Sequence, residues 1–102
     1  MDRIGKLKGF LEANPGDSFL QHALALEYIK EGDDNRAKML FENILAADPS
    51  YVGSYYHLGK LLERNGDASL AMQCYEKGMQ VAKAAGDNHA LNELRAAYED
   101  LE

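Results

Sequence analysis

Apolar residues recur every three to four positions along most of the chain, a spacing that places them on one face of an α-helix. No stretch alternates apolar and polar residues between hairpin turn signals, so strands are not expected. The clearest stripes are formed by Leu20, Leu24 and Tyr28 and by Ala37, Leu40, Phe41, Ile44 and Leu45. The pattern predicts an all-α chain of short amphipathic helices.

Glycine, aspartate and proline separate these stripes. Gly32 can take the left-handed conformation with which many helices end, and Asp33 or Asp34 can cap the helix that follows. Pro49 disfavours the helical conformation at the residue before it, so the second helix is expected to end there. Ser50 is then a candidate cap for a helix that begins one residue later.

The same order of residues occurs twice, because residues 18–51 and 52–85 align without a gap. A fixed period of this length is typical of helical arrays, in which neighbouring repeats bury a shared core. The matched pairs are Leu24 and Leu58, Gly32 and Gly66, Asp33 and Asp67, Ala37 and Ala71, Phe41 and Tyr75, Glu42 and Glu76, and Leu45 and Met79. Each repeat is predicted to be a helix, a tight turn and a second helix.

Half-repeats are predicted at both ends. Residues 1–14 lead into Asn14-Pro15-Gly16-Asp17, which is close to the ending Ala47-Asp48-Pro49-Ser50 of the first repeat. Their apolar face holds Ile4, Leu7, Phe10 and Leu11. The stripe in residues 87–102 consists of Ala90, Leu91, Leu94, Ala97, Tyr98 and Leu101. If Leu94 corresponds to Leu58, the preceding turn has gained two residues. This segment is predicted either to be a capping helix with a polar outer face or to begin a third repeat, and both can hold together.

This order of residues resembles the tetratricopeptide repeat (TPR) family. The first repeat supplies Leu24, Ala25, Tyr28, Gly32, Asp33, Ala37, Phe41 and Pro49, and the second supplies Tyr55, Leu58, Gly59, Gly66, Asp67, Ala71, Tyr75 and Gly78. The chain departs from the family pattern at four positions, Gln21, Ile44, Leu62 and Lys83. The resemblance implies one domain over residues 1–102, with antiparallel helix-turn-helix repeats stacked as a short right-handed α-solenoid of about six helices.

The resemblance also implies a non-catalytic module that binds a peptide or partner protein on the concave surface of its first helices. The positions carried over are Phe19, His22, Leu26, Ile29, Tyr56, His57, Lys60, Arg64 and Asn92, and less directly His89 and Glu93. Aromatic and long cationic side chains often dominate binding surfaces, which favours Tyr56, His57 and Lys60. For Phe19 and Leu26 a role in helix packing stays open. The Lys and Asn residues with which some family members hold the carboxylate of chaperone tails are absent.

Composition narrows the partner class. A net charge of −6 and a pI near 5.0 argue against nucleic acid, including the targets of RNA-reading helical repeats of similar period. No apolar run reaches the length of a membrane span and no secretion signal begins the chain, so no membrane partner and a cytoplasmic location are expected. Whether the chain is a complete protein or an excised domain stays open.

Catalytic and metal chemistry find little support. Cys74 lies among apolar residues of a packing helix and is predicted to be a structural thiol, and as a lone cysteine it forms no intrachain disulfide. The three histidines, His22, His57 and His89, lack the close pairing of zinc ligands. The prediction is a non-enzyme without cofactor or metal.

A competing hypothesis is self-association as a homodimer or scaffold. Nothing precedes the first helix to cover Ile4, Phe10 and Leu11, so an apolar face is expected at that end. A symmetric homodimer through the terminal helices would bury such a face.

Overall fold

The computed structural model describes residues 2–102, and these residues form six α-helices without a strand. The helices are α1 (Arg3–Ala13), α2 (Ser18–Lys30), α3 (Asp34–Ala47), α4 (Gly53–Arg64), α5 (Ala68–Ala85) and α6 (Asn88–Glu99). The all-α helical-repeat fold predicted from the sequence is confirmed. The chain divides into two compact units, unit 1 ending at Asp48 and unit 2 beginning at Pro49.

Unit 1 is built by α2, which packs against both α1 and α3. Its buried apolar side chains are Leu7, Leu24, Ala25, Tyr28, Ala37, Phe41 and Ile44. All of them belong to the predicted stripes or to the small positions of the family pattern. Burial of a large apolar side chain contributes about 1.5–3 kcal/mol, so these stripes supply the main stabilisation of the unit.

Unit 2 is built around α5, which packs against α4 and α6, while α4 also touches α6. Its buried apolar side chains are Tyr55, Leu58, Leu61, Leu62, Ala71, Tyr75, Ala82, Leu94 and Ala97. Met72, Met79 and Val81 of α5 are half-buried. α5 is longer than α3, 18 residues against 14, because Lys83 stands where the first repeat has the helix-ending Pro49.

Aspartates cap most of the helices. The side chains of Asp2, Asp17, Asp33 and Asp87 each accept a hydrogen bond from the backbone N–H three residues on. Asp33, and not Asp34, is therefore the cap of α3. The matching Asp67 precedes α5 without capping it, since its carboxylate accepts instead from the Asn65 side chain at 2.8 Å.

The predicted cap at Ser50 is wrong. α4 begins at Gly53, and no side chain caps it. The chain first makes a tight turn in which the Ser54 N–H donates to the Tyr51 carbonyl at 3.2 Å. The Tyr55 hydroxyl donates to the Pro49 carbonyl at 2.6 Å, so a side chain from the first turn of α4 holds the segment before it.

Small residues mark the helix contacts, as the family pattern implies. Ala25, Ala37 and Ala71 are fully buried. A Cβ atom at Gly78 would lie 2.7 Å from the Tyr55 Cβ and 3.0 Å from a Leu94 methyl carbon. α5 can therefore touch α4 and α6 closely only because this position has no side chain.

Candidate binding surfaces

The exposed face of α4 in unit 2 carries a group of side chains that we call the α4 cluster, namely Tyr56, His57 and Lys60. All three are half-buried. The Lys60 Nζ lies 5.5 Å from the centre of the Tyr56 ring, within range of a cation–π interaction. The His57 ring meets Tyr56 edge-on, with 5.5 Å between ring centres. Arg64, also predicted, is exposed one turn further on.

Glu63 joins this cluster and was not predicted. Its Oε2 lies 3.6 Å from the Lys60 Nζ and also accepts the hydrogen bond donated by the Tyr75 hydroxyl. Burial, and then the hydrogen bond to this carboxylate, raise the pKa of Tyr75 above the ordinary range of a phenol. The spacing of Glu63 three residues after Lys60 was the available signal. Tyr75 lies on another helix, so the sequence alone does not indicate the second contact.

α6 supplies the remaining predicted residues of unit 2. The negative charge of Glu93 raises the pKa of His57, but partial burial of the imidazole has the larger effect, and the net result is a lowered pKa. Asn92 is exposed, and its Oδ1 accepts from Arg95 at 3.4 Å. The fold therefore brings Glu93 into electrostatic contact with the α4 cluster.

In unit 1 a groove runs along the first helix of the first repeat. It is lined by Arg3, Phe19, His22, Ala23, Leu26, Glu27 and Lys30, and we call it the front groove. Three of the four predicted residues of α2 meet there, whereas Ile29 is half-buried outside it. Phe19 is 69% exposed and has no role in the core. The His22 ring stands edge-on to buried Phe41, with 5.4 Å between ring centres.

Charged residues of the front groove were missed by the sequence reasoning. The Glu27 carboxylate lies 3.3 Å from the Arg3 Nε and 3.2 Å from the Lys30 Nζ. Lys30 follows Glu27 by three residues and was detectable as a helix pair. Arg3 reaches the site only because α1 packs on α2, and the periodicity does not specify that contact.

A family model described as tetratricopeptide repeat matches residues 20–51 and 52–84, which lie within the two repeats found in the sequence. This chain belongs to the tetratricopeptide repeat family. TPR repeats are general protein–protein interaction modules and are typically non-catalytic. The comparison with curated proteins gives no match.

Solved structures of similar proteins agree with this assignment. A TPR domain protein from Salinibacter ruber is 42% identical in sequence to this chain. Its crystal structure matches with a TM-score of 0.81, over 83% of this chain and 94% of that chain. Its solution structure gives 43% identity and a TM-score of 0.82, over 86% of this chain and 89% of that chain. A Bordetella parapertussis protein is 26% identical with a TM-score of 0.85, over 99% of this chain and 88% of that chain.

The lone thiol of this TPR chain, Cys74, is half-buried in unit 2. The Cys74 Sγ donates to the Tyr55 carbonyl at 3.3 Å, and burial raises the pKa of the thiol to about 12. A thiol in this state is a poor nucleophile at neutral pH. Within residues 2–102, no group of three His, Cys, Asp or Glu side chains is arranged to hold a metal ion. No helix in that part of the chain has the length and apolar character needed to cross a membrane.

Proposed function

We propose that this TPR chain is a non-catalytic adaptor that binds an extended or helical peptide segment of a partner protein, with some acidic character, at the α4 cluster. One observation carries the proposal. Lys60 is held against the Tyr56 ring and beside Glu63, while Tyr56 and Lys60 both remain partly accessible. An aromatic ring and a cation in a defined arrangement form the type of surface from which binding hot spots are made.

Preorganisation supports this assignment. A free lysine loses rotamer freedom when it binds, at a cost of about 0.5–1.5 kcal/mol. Here the cation–π contact with Tyr56 and the ion pair with Glu63 already restrict the Lys60 side chain. The buried Tyr75 hydroxyl in turn holds the Glu63 carboxylate. Binding at this surface therefore requires little further ordering.

The front groove of unit 1 offers a surface of similar chemistry. Exposed Phe19 and half-buried Leu26 supply apolar area, and the cations Arg3 and Lys30 lie beside them. Both cations share the single carboxylate of Glu27, so the groove keeps an excess of positive charge in a chain of net charge −6. This arrangement favours a partner with acidic groups next to apolar ones.

Affinity capture from native cell extract tests the proposal. The intact chain is compared with a Tyr56→Ala, Lys60→Glu variant, and retained proteins are identified by mass spectrometry. A Lys77→Glu variant is the matched control, because Lys77 is exposed on α5 outside the α4 cluster. We expect one set of partners to be held by the intact chain and the control but lost by the double variant. Partners held equally by all three would contradict use of the α4 cluster.

Folding must be monitored in the same experiment. Tyr56 lies 6.4 Å from Tyr75 between ring centres, so its truncation removes some packing as well as binding surface. Lys60→Met keeps the aliphatic stem and removes only the charge. Loss of partner by Lys60→Met, with unchanged helix content and melting temperature, would assign the loss to binding.

Self-association is the second candidate, and one observation favours it. Counting back one repeat of 34 residues, Phe10 corresponds to Ile44, which is 1% exposed, yet Phe10 is 58% exposed. No helix within the described residues 2–102 covers this position. A symmetric dimer through α1 would bury Phe10 together with half-buried Ile4 and Leu11.

The other end of the chain is less suited to such a contact. In the register that matches Leu94 with Leu58, Arg95 takes the place of Gly59 and Ala25. Those positions are buried where a second helix packs, whereas Arg95 is exposed. A long cationic side chain there opposes the close approach of another helix, which favours α6 as a capping helix.

Light scattering after size exclusion tests self-association directly. At roughly 100 µM, an α1 dimer predicts twice the chain mass for the intact protein and the monomer mass for Phe10→Glu, because dimerisation depends on concentration. An Arg95→Ala variant is the control and should show the same mass as the intact protein. A monomer at this concentration would remove the dimer from consideration. The cytoplasmic location and the exclusion of nucleic acid and membrane as partners stay predictions from the sequence.

A further inference from the structure

A second groove lies on the opposite side of α2 from the front groove. It is lined by Leu24, Tyr28, Arg36, Met39, Leu40 and Asn43, and we call it the rear groove. At 3.6 residues per turn, Leu24 and Tyr28 point about half a turn away from Phe19 and Leu26. The two grooves are therefore separate surfaces of unit 1.

The floor of the rear groove is apolar and its rim is open. Leu24 and Tyr28 are buried, and Leu40 is half-buried. Met39 is 63% exposed beside these buried side chains. Methionine is flexible and polarisable, so it suits a surface that packs against an incoming apolar side chain.

Two cations lie at the Tyr28 ring. The Lys8 Nζ is 5.9 Å from the ring centre and the Arg36 guanidinium carbon is 5.7 Å from it. Among the described residues no carboxylate pairs with Lys8. Arg36 pairs only with the partly exposed Asp33, at 3.5 Å, and surface pairs of this kind are weak and screened by salt. Positive charge is thus concentrated beside an apolar groove.

The repeat architecture does not require this combination. One repeat further on, Arg36 corresponds to Leu70, Met39 to Gln73 and Asn43 to Lys77. Those residues occupy the same helical positions in unit 2 without forming a cation pair over an aromatic ring. Arg36, Met39 and Asn43 are consequently not residue types that the fold of a repeat requires at these positions.

We propose that the rear groove binds a peptide segment of a partner protein in which an apolar side chain stands next to a carboxylate. The apolar side chain packs against Leu24, Leu40 and Met39, and the carboxylate faces Lys8 and Arg36. Charge complementarity selects this chemistry, since the chain as a whole is strongly acidic and repels acidic segments from most of its surface. The site is independent of the α4 cluster, because every residue that forms it belongs to unit 1.

Methionine-methyl NMR with a defined probe tests the proposal. The probe is an acetylated and amidated Asp-Leu-Leu-Glu-Glu peptide, and the two control peptides replace Leu by Ser or the acidic residues by Lys. Met39 reports on the rear groove, while Met72 and Met79 on α5 are internal references. We expect the Met39 methyl resonance to shift saturably with the acidic leucine peptide, and the reference resonances to stay in place.

Charge-reversal variants locate the binding site. Lys8→Glu with Arg36→Glu should weaken binding of the probe by about tenfold or more, whereas Lys77→Glu, at an exposed residue of α5 outside both surfaces, should leave its affinity unchanged. Met39→Asp, which leaves both cations in place, should also weaken binding of the probe. Because this variant lacks the methyl reporter, its affinity is measured by isothermal titration calorimetry. Circular dichroism of each variant shows whether the helices persist.

Four outcomes would overturn the assignment. A Met39 resonance that stays in place up to millimolar peptide would remove the site. Equal binding of the lysine peptide would remove the charge argument. If Lys60→Glu abolished peptide binding and the Lys8→Glu, Arg36→Glu variant did not, the peptide would bind at the α4 cluster instead. If the Met39 resonance shifted with protein concentration in the absence of peptide, the rear groove would instead bind a second copy of the chain.

Discussion

The Tyr75 ring fills the space that Gly59 leaves on α4. A Cβ atom at Gly59 would lie 2.7 Å from both Cδ1 and Cζ of this ring, closer than atoms can approach without displacement. Tyr75 is fully buried, yet its hydroxyl extends past Gly59 to the carboxylate of Glu63, one helical turn further along α4. The missing side chain therefore controls both the packing of unit 2 and the position of a charge in the α4 cluster.

Adding a side chain at Gly59 should destabilise the protein. Gly59→Ala gains helix propensity but forces the Tyr75 ring to move, and we expect a net loss of about 1–3 kcal/mol in the free energy of unfolding, with a larger loss for Gly59→Leu. Urea denaturation followed by circular dichroism measures it.

Gly9 offers the matched control for Gly59. It also lies inside a helix, but apart from its chain neighbours and the backbone of its own helix no atom lies within 4 Å of a Cβ placed there. Gly9→Ala should stabilise by about 0.5–1 kcal/mol through helix propensity alone. A neutral Gly59→Ala would show that α4 and α5 do not meet as closely as the structure shows.

The hydrogen bond between Tyr75 and Glu63 should be detectable as a coupling energy. Tyr75→Phe removes the donor and Glu63→Gln removes the acceptor charge, and hydrogen bonds to charged groups contribute about 1.5–3 kcal/mol. Because Glu63 is partly exposed, we expect a coupling at or below the lower end of this range. The coupling energy is obtained from a double-mutant cycle, in which urea unfolding is measured for the parent, the two single variants and the double variant. Strictly additive effects would mean that the hydroxyl does not hold the carboxylate.

His57 should make stability depend on pH in the acidic range. Its pKa in the folded protein is lowered from 6.5, chiefly by burial, so below that pH the unfolded state binds more protons than the folded state. The resulting contribution to stability is present above about pH 6.5 and is lost as the pH falls towards the folded pKa. The free energy of unfolding of His57→Gln should therefore decrease less than that of the parent between about pH 7.5 and pH 5.5.

A change at Glu93 should shift the pKa of His57 and so alter the pH dependence of stability in the opposite direction. The charge of Glu93 favours the protonated imidazole, so Glu93→Gln should lower the pKa of His57 further and increase the loss of stability on acidification. An identical pH dependence in the parent, His57→Gln and Glu93→Gln would show that this histidine is not linked to folding.

Cys74 should be protected from thiol reagents in the folded protein. With its pKa raised to about 12 by burial, the thiolate fraction is far smaller than in an unfolded chain. At about pH 8 we expect the reaction with a disulfide reagent to be roughly a thousandfold slower in buffer than in denaturant. Rapid modification of the folded protein would mean that unit 2 opens locally or that Cys74 is accessible.

Much of the secondary structure could be predicted because its determinants are local. The turn before α3 depends on Gly32, which has a φ of 79°, and on the cap at Asp33, and both follow directly from residue type. The exception is instructive. Ser50 has the chemistry of a cap, but α4 begins later because the preceding turn is held by the Tyr55 hydroxyl on the Pro49 carbonyl, a contact between residues that the local cap rules do not consider.

The candidate surfaces were only partly predictable. Phe19, Leu26 and Lys60 came from the resemblance to the TPR family, and Phe19 and Leu26 do line one groove of unit 1. Arg3 and Glu63 were missed because each depends on a partner from another helix. Long polar side chains can pair with several neighbours, and helix periodicity does not specify which of them lies within a few ångströms.

By itself the sequence determined the helices, their breaks, the repeat and the family, because apolar periodicity and special backbone residues act over one or two helical turns. Only the tertiary structure decided which charges meet. It placed Lys8 and Arg36 at the same Tyr28 ring, and it left Phe10 exposed at a position where the next repeat buries Ile44. These features depend on which helices are present to pack against one another. Equivalent positions of a repeat can therefore have identical local signals and opposite environments.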